Sequence, residues 1–284
     1  AGGGETMSTG IDYLDETWNP VHGCLPGLPC WNNCWARRMA HRQQGMGTRG
    51  YERGFAPTFD ETRLAQPLHW KKPRRIGVSF MGDLFVDGIS NWNIAAVFGI
   101  MAACPQHRFL VLTKRVERMA AWFKWVTARA TVEPCVPDPQ LICADAATAY
   151  IHGPGREFLA VKRGSNATWP LVNVWLGASV MTRTDLGRVD TLRRVPAVMR
   201  YISFEPLWEN PGRVDLRGID WCVVGCESGP GAQPMEPGWA RTLKNQCVRL
   251  GIAFYLKQMA VNGVLIHAPL LDGERWQEIP GVRP

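Results

Sequence analysis

Three cysteines stand within eleven residues, in the run Gly23-Cys24-Leu25-Pro26-Gly27-Leu28-Pro29-Cys30-Trp31-Asn32-Asn33-Cys34-Trp35. Soft thiolates select zinc, copper(I) or iron–sulfur clusters. Pro26, Gly27 and Pro29 give the turns that point sulfurs inward at one site. Three thiolates on a four-iron, four-sulfur cluster leave one iron open. That iron can chelate the amino and carboxylate groups of S-adenosylmethionine and pass an electron into its sulfonium bond, producing a 5'-deoxyadenosyl radical that abstracts hydrogen from a substrate. The alternative is a zinc site with a fourth ligand from His22, His41 or a distant residue, although a Cys-x2-Cys pair, the commoner zinc signature, is absent here.

Further chemistry-bearing residues fall where strands are expected to end. Ser179 is placed to reach the ribose or carboxylate of a cofactor, or is a plain turn residue. Glu205 and Glu227 are acids set among apolar residues that would desolvate them, so each either works on a ligand or pairs with Lys114, Arg115 or Lys257, cations that are themselves expected to bind substrate or nucleic acid. In the working reading they hold ribose, orient substrate or exchange protons. Cys226 is a thiol able to donate hydrogen to a substrate radical, or a small buried hydrophobe near Cys222. Cys104, Cys135, Cys143 and Cys247 are assigned to packing or to the insertion described below, with Cys135 and Cys143 a weak second metal pair.

Positioning such residues calls for alternating elements. Short β-rich runs at about 12–18, 75–81, 108–113, 172–178, 200–204, 219–225 and 252–257 alternate with amphipathic stretches at 31–44, 91–103, 116–127, 184–194 and 237–250. Pro237 begins the last helix and Gly251 stops it. This pattern predicts an α/β fold, a partial or complete parallel βα barrel over residues 11–261, with functional residues on the loops at the carboxyl ends of its strands. An irregular, proline-rich insertion is expected at about 130–170. Residues 1–10 read as a tag remnant and disordered start, and residues 262–284 as a tail folded back on the barrel through Leu270, Leu271, Trp276 and Ile279.

Nine cysteines in a chain without a secretion signal or an eighteen-residue apolar run point to metal binding in the cytoplasm rather than to disulfides, with no membrane partner. A net charge of +7 suits a polyanionic partner. Its densest positive stretches are Lys71-Lys72-Pro73-Arg74-Arg75 and Arg37, Arg38 and Arg42. Trp31, Trp35 and Trp70 offer faces for base stacking beside them. A solvated helix face accounts for Arg37 and Arg38 equally well. A base inside a duplex would have to flip out to reach a radical.

Six blocks together resemble the phage Gp37/Gp68 family (DUF5131): Thr17 to Cys24, Asn33 to Ala36, Ser79 to Phe85, Trp175 to Val180, Gly225 to Ala232 and Phe254 to Gln258. The resemblance implies a radical S-adenosylmethionine protein akin in outline to spore photoproduct lyase, encoded by phage and working in the host cytoplasm. It implies a cluster on Cys24, Cys30 and Cys34, and contact of Met81, Gly82 and Asp83 with the amino group of the bound methionine moiety; Asp83 reads equally as a helix N-cap ahead of Leu84. The family separates its last two cysteines by two residues and this chain by three, while the Cys24 to Cys34 distance is kept; the three-then-two spacing usual in radical enzymes is absent. The expected function is a rearrangement or lysis on a nucleic-acid base, specifically a 5-substituted thymidine during phage DNA hypermodification. Expected partners are DNA or a nucleotide and an electron donor such as flavodoxin or ferredoxin. The rivals are a photoproduct lyase-like repair enzyme and a non-catalytic, zinc-stabilised nucleic-acid-binding module.

Overall fold

A computed structural model describes residues 10–132, 138–151, 168–261 and 263–281. Cys135 and residues 1–9 of the expected N-terminal remnant lie outside these. The main sheet holds eight strands in sequential order: β1 (Glu16–Trp18), β2 (Arg75–Val78), β3 (Arg108–Thr113), β4 (Val174–Ser179), β5 (Met199–Phe204), β6 (Trp221–Gly225), β7 (Ala253–Val261) and β8 (Val264–His267). Every neighbouring pair from β1 to β7 is parallel, and β8 returns antiparallel with His267 opposite Gln258. The first and last strands do not pair, so the sheet is an open, curled half-barrel. The helices longer than a single turn are α1 (Trp35–Gly45), α2 (Asn91–Ala103), α3 (Val116–Val132), α4 (Pro139–Tyr150), α5 (Gly187–Arg193) and α6 (Pro237–Leu250) among the described residues. Among the described residues no helix is long and apolar enough to cross a membrane.

Strand side chains alternate between two apolar layers, because successive residues point to opposite faces. Val111, Leu176, Ile202, Val224 and Leu256 join the large core beneath the helices. Leu110, Trp175, Tyr201, Trp221 and Tyr255 face the concave side and form an aromatic plug with Tyr13. Tyr13 meets the Trp221 and Tyr255 rings edge-on at 5.2 and 5.4 Å. Gly177 lies flat against Tyr201, whose ring occupies the space a Cβ would need. Trp221 is fully buried and donates through Nε1 to the Glu278 carbonyl at 2.8 Å, tying the C-terminal segment to the plug. Trp221→Ala is therefore expected to lower unfolding free energy by about 3–5 kcal/mol, measured by urea titration followed by circular dichroism; a loss below about 1 kcal/mol would show that the plug does not hold the sheet.

Two sequence expectations are corrected. The 130–170 segment is not wholly irregular: α3 runs on to Val132, and α4 begins with Pro139 in its first turn and the Asp138 carboxylate accepting from Gln140 N–H. Proline read as a breaker here starts a helix, where its missing N–H costs nothing. The reason for α4 lies in α2, which is apolar on all sides and needs cover on the face away from the sheet. Gly99 admits that cover, since a Cβ there would overlap the Cys143 backbone. Cys143 is thereby a packing residue, fully buried, with burial pushing its thiol far up. The second correction concerns only part of the tail, whose Trp276 packs against the large core and whose Ile279 packs against the plug. Residues 264–267 are a sheet strand, Leu271 is buried, and Leu270 is exposed rather than packed. Further on, Leu256 N–H donates to the Trp276 carbonyl at 2.8 Å and Glu278 N–H to that of Phe254 at 3.1 Å.

Candidate functional site

The carboxyl ends of the parallel strands surround a cavity of about 440 Å³, within the size range of small-molecule sites. Its wall takes Gly82 and Asp83 after β2, Lys114 after β3, Ser179 at the end of β4, Glu205 after β5, Cys226 and Glu227 after β6, and Lys257 within β7. Cys30, Cys34 and Trp35 close one side. A larger groove of about 1540 Å³ between Gly212–Arg217 and α6 contains none of these residues.

The cysteine loop is held by backbone. Val21–His22 pairs antiparallel with Thr58–Phe59, Gly23 N–H donates to the Met81 carbonyl at 3.0 Å, and Cys24 N–H to that of Phe55 at 2.9 Å. Gly23 and Gly82 form a parallel bridge so tight that a Cβ on either would overlap backbone, Ala56 and Phe55 for Gly23 and residues 22–23 for Gly82. The helix expected from residue 31 starts at Trp35, after a single tight turn at Pro29–Trp31, with Cys34 at its N-cap. Asn33 Nδ2 and Arg38 Nη2 donate to the carbonyls of Gly231 and Ser228, both at 3.3 Å, joining the cysteine loop to the β6 loop across the mouth.

All three thiols are free and partly buried. Burial raises the Cys24 thiol, against the pull of Arg115; burial also raises Cys30, against the pull of Lys114. Among the described residues no three His, Cys, Asp or Glu side chains are gathered tightly enough to share one ion; sulfurs bound to separate irons of a cluster stand further apart than that. An all-thiolate set, partly withdrawn from solvent and with one sulfur, that of Cys24, reached by an arginine N–H, suits an iron–sulfur cluster. His22, one expected fourth ligand for zinc, is buried and engaged away from the thiols: its Nε2 meets the Gly50 carbonyl at 2.5 Å, its ring lies 4.6 Å from that of Tyr51, and its charged neighbours are Arg63, Asp60 and Glu52.

The remaining expected site residues divide. Glu205 and Lys257 are joined in an ion pair, with side chains only 18% and 13% exposed. Glu227 accepts from Gln233 N–H at 2.9 Å and so shapes its own loop. Cys226 is buried; its wall position coincides with packing in the helix-side core, and burial raises its thiol. Ser179 is buried, and its carbonyl accepts from Arg188 at 2.8 Å. Met81 packs against the small buried cluster of Ala36, Ala40, Tyr51 and Phe55, as do Cys24, Trp31 and Cys34. Asp83 is engaged on both oxygens, Oδ1 by Phe85 N–H and the Thr113 hydroxyl, Oδ2 by Lys114 N–H and Arg115. Lys114 has no ion-pair partner among the described residues. Trp35 is 47% exposed at the mouth, whereas Trp31 is covered by Phe55 at 5.7 Å and Arg37 at 4.9 Å.

The run Lys71 to Arg75 leads into β2, whose first residue is Arg75, and therefore lies at the opposite, amino end of the sheet; Arg74 and Arg75 pair there with Glu16 and Asp15, and Arg74 covers Trp70. Sequence reasoning missed Tyr13, Asn33, Ser203, Gln258 and His267 on the cavity wall. Two of these had a usable signal: Ser203 lies two residues before Glu205 on the same face, and Gly263 ahead of the apolar run 264–266 marks the start of the strand that brings His267 back.

Comparison with known proteins gives a match to the family described as "Protein of unknown function (DUF5131)" over residues 8–280. No curated protein and no solved structure matches the chain. Because the match spans nearly the whole half-barrel and every block that lines its cavity, the chain belongs to the DUF5131 family.

Proposed function

We propose that this cavity is the active site of a radical S-adenosylmethionine enzyme, of isomerase or lyase type, acting on a nucleic-acid base. The observation that carries the reading is one loop delivering three free, partly buried thiols to the carboxyl rim of a parallel half-barrel, beside a cavity that also holds a shielded Glu–Lys pair. A four-iron cluster on Cys24, Cys30 and Cys34 would supply the electron that cleaves S-adenosylmethionine to methionine and a 5'-deoxyadenosyl radical, that electron coming from a flavodoxin- or ferredoxin-type donor.

The chain's own side chains then have separable tasks. Gly82 lets the backbone of the cysteine loop close against the end of β2, and Met81, Ser179 and Asp83 border that edge, where the methionine moiety of the cofactor would lie. Glu205, anchored by Lys257, offers its second oxygen to ribose hydroxyls or to a proton in transit. Lys114 supplies a cation for phosphate, and Trp35 an exposed face on which a flipped base stacks. Cys226 and Glu227 line the cavity and would act on a substrate radical or its proton. The specific substrate proposed is a 5-substituted thymidine of phage DNA.

Anaerobic reconstitution is expected to give a brown protein with about four irons per chain, and dithionite with S-adenosylmethionine to release 5'-deoxyadenosine. With a substrate deuterated at its thymine 5-substituent, deuterium should appear in that product. A colourless protein holding one zinc would sink the proposal in favour of a binding module.

A further inference from the structure

We propose that Arg115 is a positioning residue that sets the reduction potential of the metal centre through its hydrogen bond to Cys24. The inference rests on the reading of Cys24 as a cluster ligand. Arg115 follows β3, yet its Nη1 lies 3.2 Å from the sulfur of Cys24, ninety-one residues away in sequence. The same Nη1 lies 3.4 Å from Asp83 Oδ2. Both partners are sheltered, the Arg115 side chain 14% and that of Asp83 6% exposed.

This arrangement is built on several independent contacts. Asp83 is fixed by Phe85 N–H at 2.9 Å, the Thr113 hydroxyl at 2.7 Å and Lys114 N–H at 3.0 Å. Thr113 in turn accepts Arg115 N–H at 2.8 Å, so the start of the arginine and its tip are both tied to one carboxylate. The guanidinium is thereby held without freedom to swing toward a substrate phosphate.

A donor to a ligating sulfur withdraws charge from the iron, and a permanent cation in contact favours the more negative, reduced state. Both the Arg115 and Asp83 side chains are largely withdrawn from solvent, so the interaction is stronger than it would be at the surface. Arg115 thus makes one-electron reduction easier and needs no contact with substrate to do so. This assigns Asp83 as its anchor rather than as an ammonium ligand.

The test is a redox titration of reconstituted wild type, Arg115→Met and Arg115→Lys, followed by electron paramagnetic resonance without S-adenosylmethionine, with Lys72→Met as the distant charge control. At the wild-type midpoint, Arg115→Met should hold about tenfold less reduced than oxidised cluster, a shift of about 59 mV to more negative potential. Arg115→Lys should recover part of that shift, and Lys72→Met should show none. If Arg115→Met cannot keep iron, the comparison passes to Arg115→Lys, expected to shift the same way by less. An unchanged midpoint in the variant that keeps full iron overturns this inference while leaving the proposed function standing. Wild type without iron overturns both.

Discussion

Cys34→Ala is expected to strip the reconstituted protein of iron, from about four per chain to well under one, and to drop 5'-deoxyadenosine formation to background. Two remaining thiolates cannot hold a cluster of this kind on three corners. The same loss is expected for Cys24→Ala and Cys30→Ala, because each sulfur would bind a separate iron. Cys143→Ala is the control: Cys143 is a fully buried residue of α4, whose backbone packs on Gly99 of α2, so the variant should lose some stability yet keep its iron and colour. Iron by colorimetric assay and product by chromatography decide the matter. Full iron in Cys34→Ala would remove the thiol loop from the mechanism altogether. Loading should also improve as pH rises, since ligation needs thiolates and burial holds the Cys24 and Cys30 protons above the usual range.

The second large effect belongs to a residue with no side chain. Gly23→Ala faces two penalties at once. Its φ of +84° is disfavoured for any L side chain, and the space its Cβ would need is filled by the Ala56 and Phe55 backbone, which cannot rotate away as a side chain would. Together these are worth about 2–5 kcal/mol. Relief comes from moving the cysteine loop off its bridge to Gly82, which displaces Cys24 one residue on. The variant should therefore show a lower midpoint in urea and a several-fold lower iron content at limiting iron, with the sheet's circular dichroism retained. Gly27→Ala, in the same loop and also at positive φ but with open space around it, should change stability by only about 1 kcal/mol. Equal behaviour of the two variants would mean that backbone crowding at Gly23 does not hold the loop.

Much of the architecture follows from the amino-acid sequence alone. The helices at 91–103 and 237–250 begin and end where Ser90, Pro237 and Gly251 dictate, and the strands at 108–113 and 200–204 are found within a residue of the expected span. Periodicity, capping and turn chemistry act over a few residues, so they can be read locally. The cysteine spacing likewise declares a thiol loop without reference to anything distant. Tertiary structure decided the rest. Only the packed chain shows that α2 needs α4 as its outer cover and that Asp83 spends its carboxylate on Thr113, Lys114 and Arg115. It also sets Lys71 to Arg75 at the far end of the sheet and turns Arg115 toward a sulfur of the cysteine loop. These are contacts between residues tens of positions apart, created when hydrophobic burial closes the sheet over its aromatic plug, and no short-range pattern encodes them.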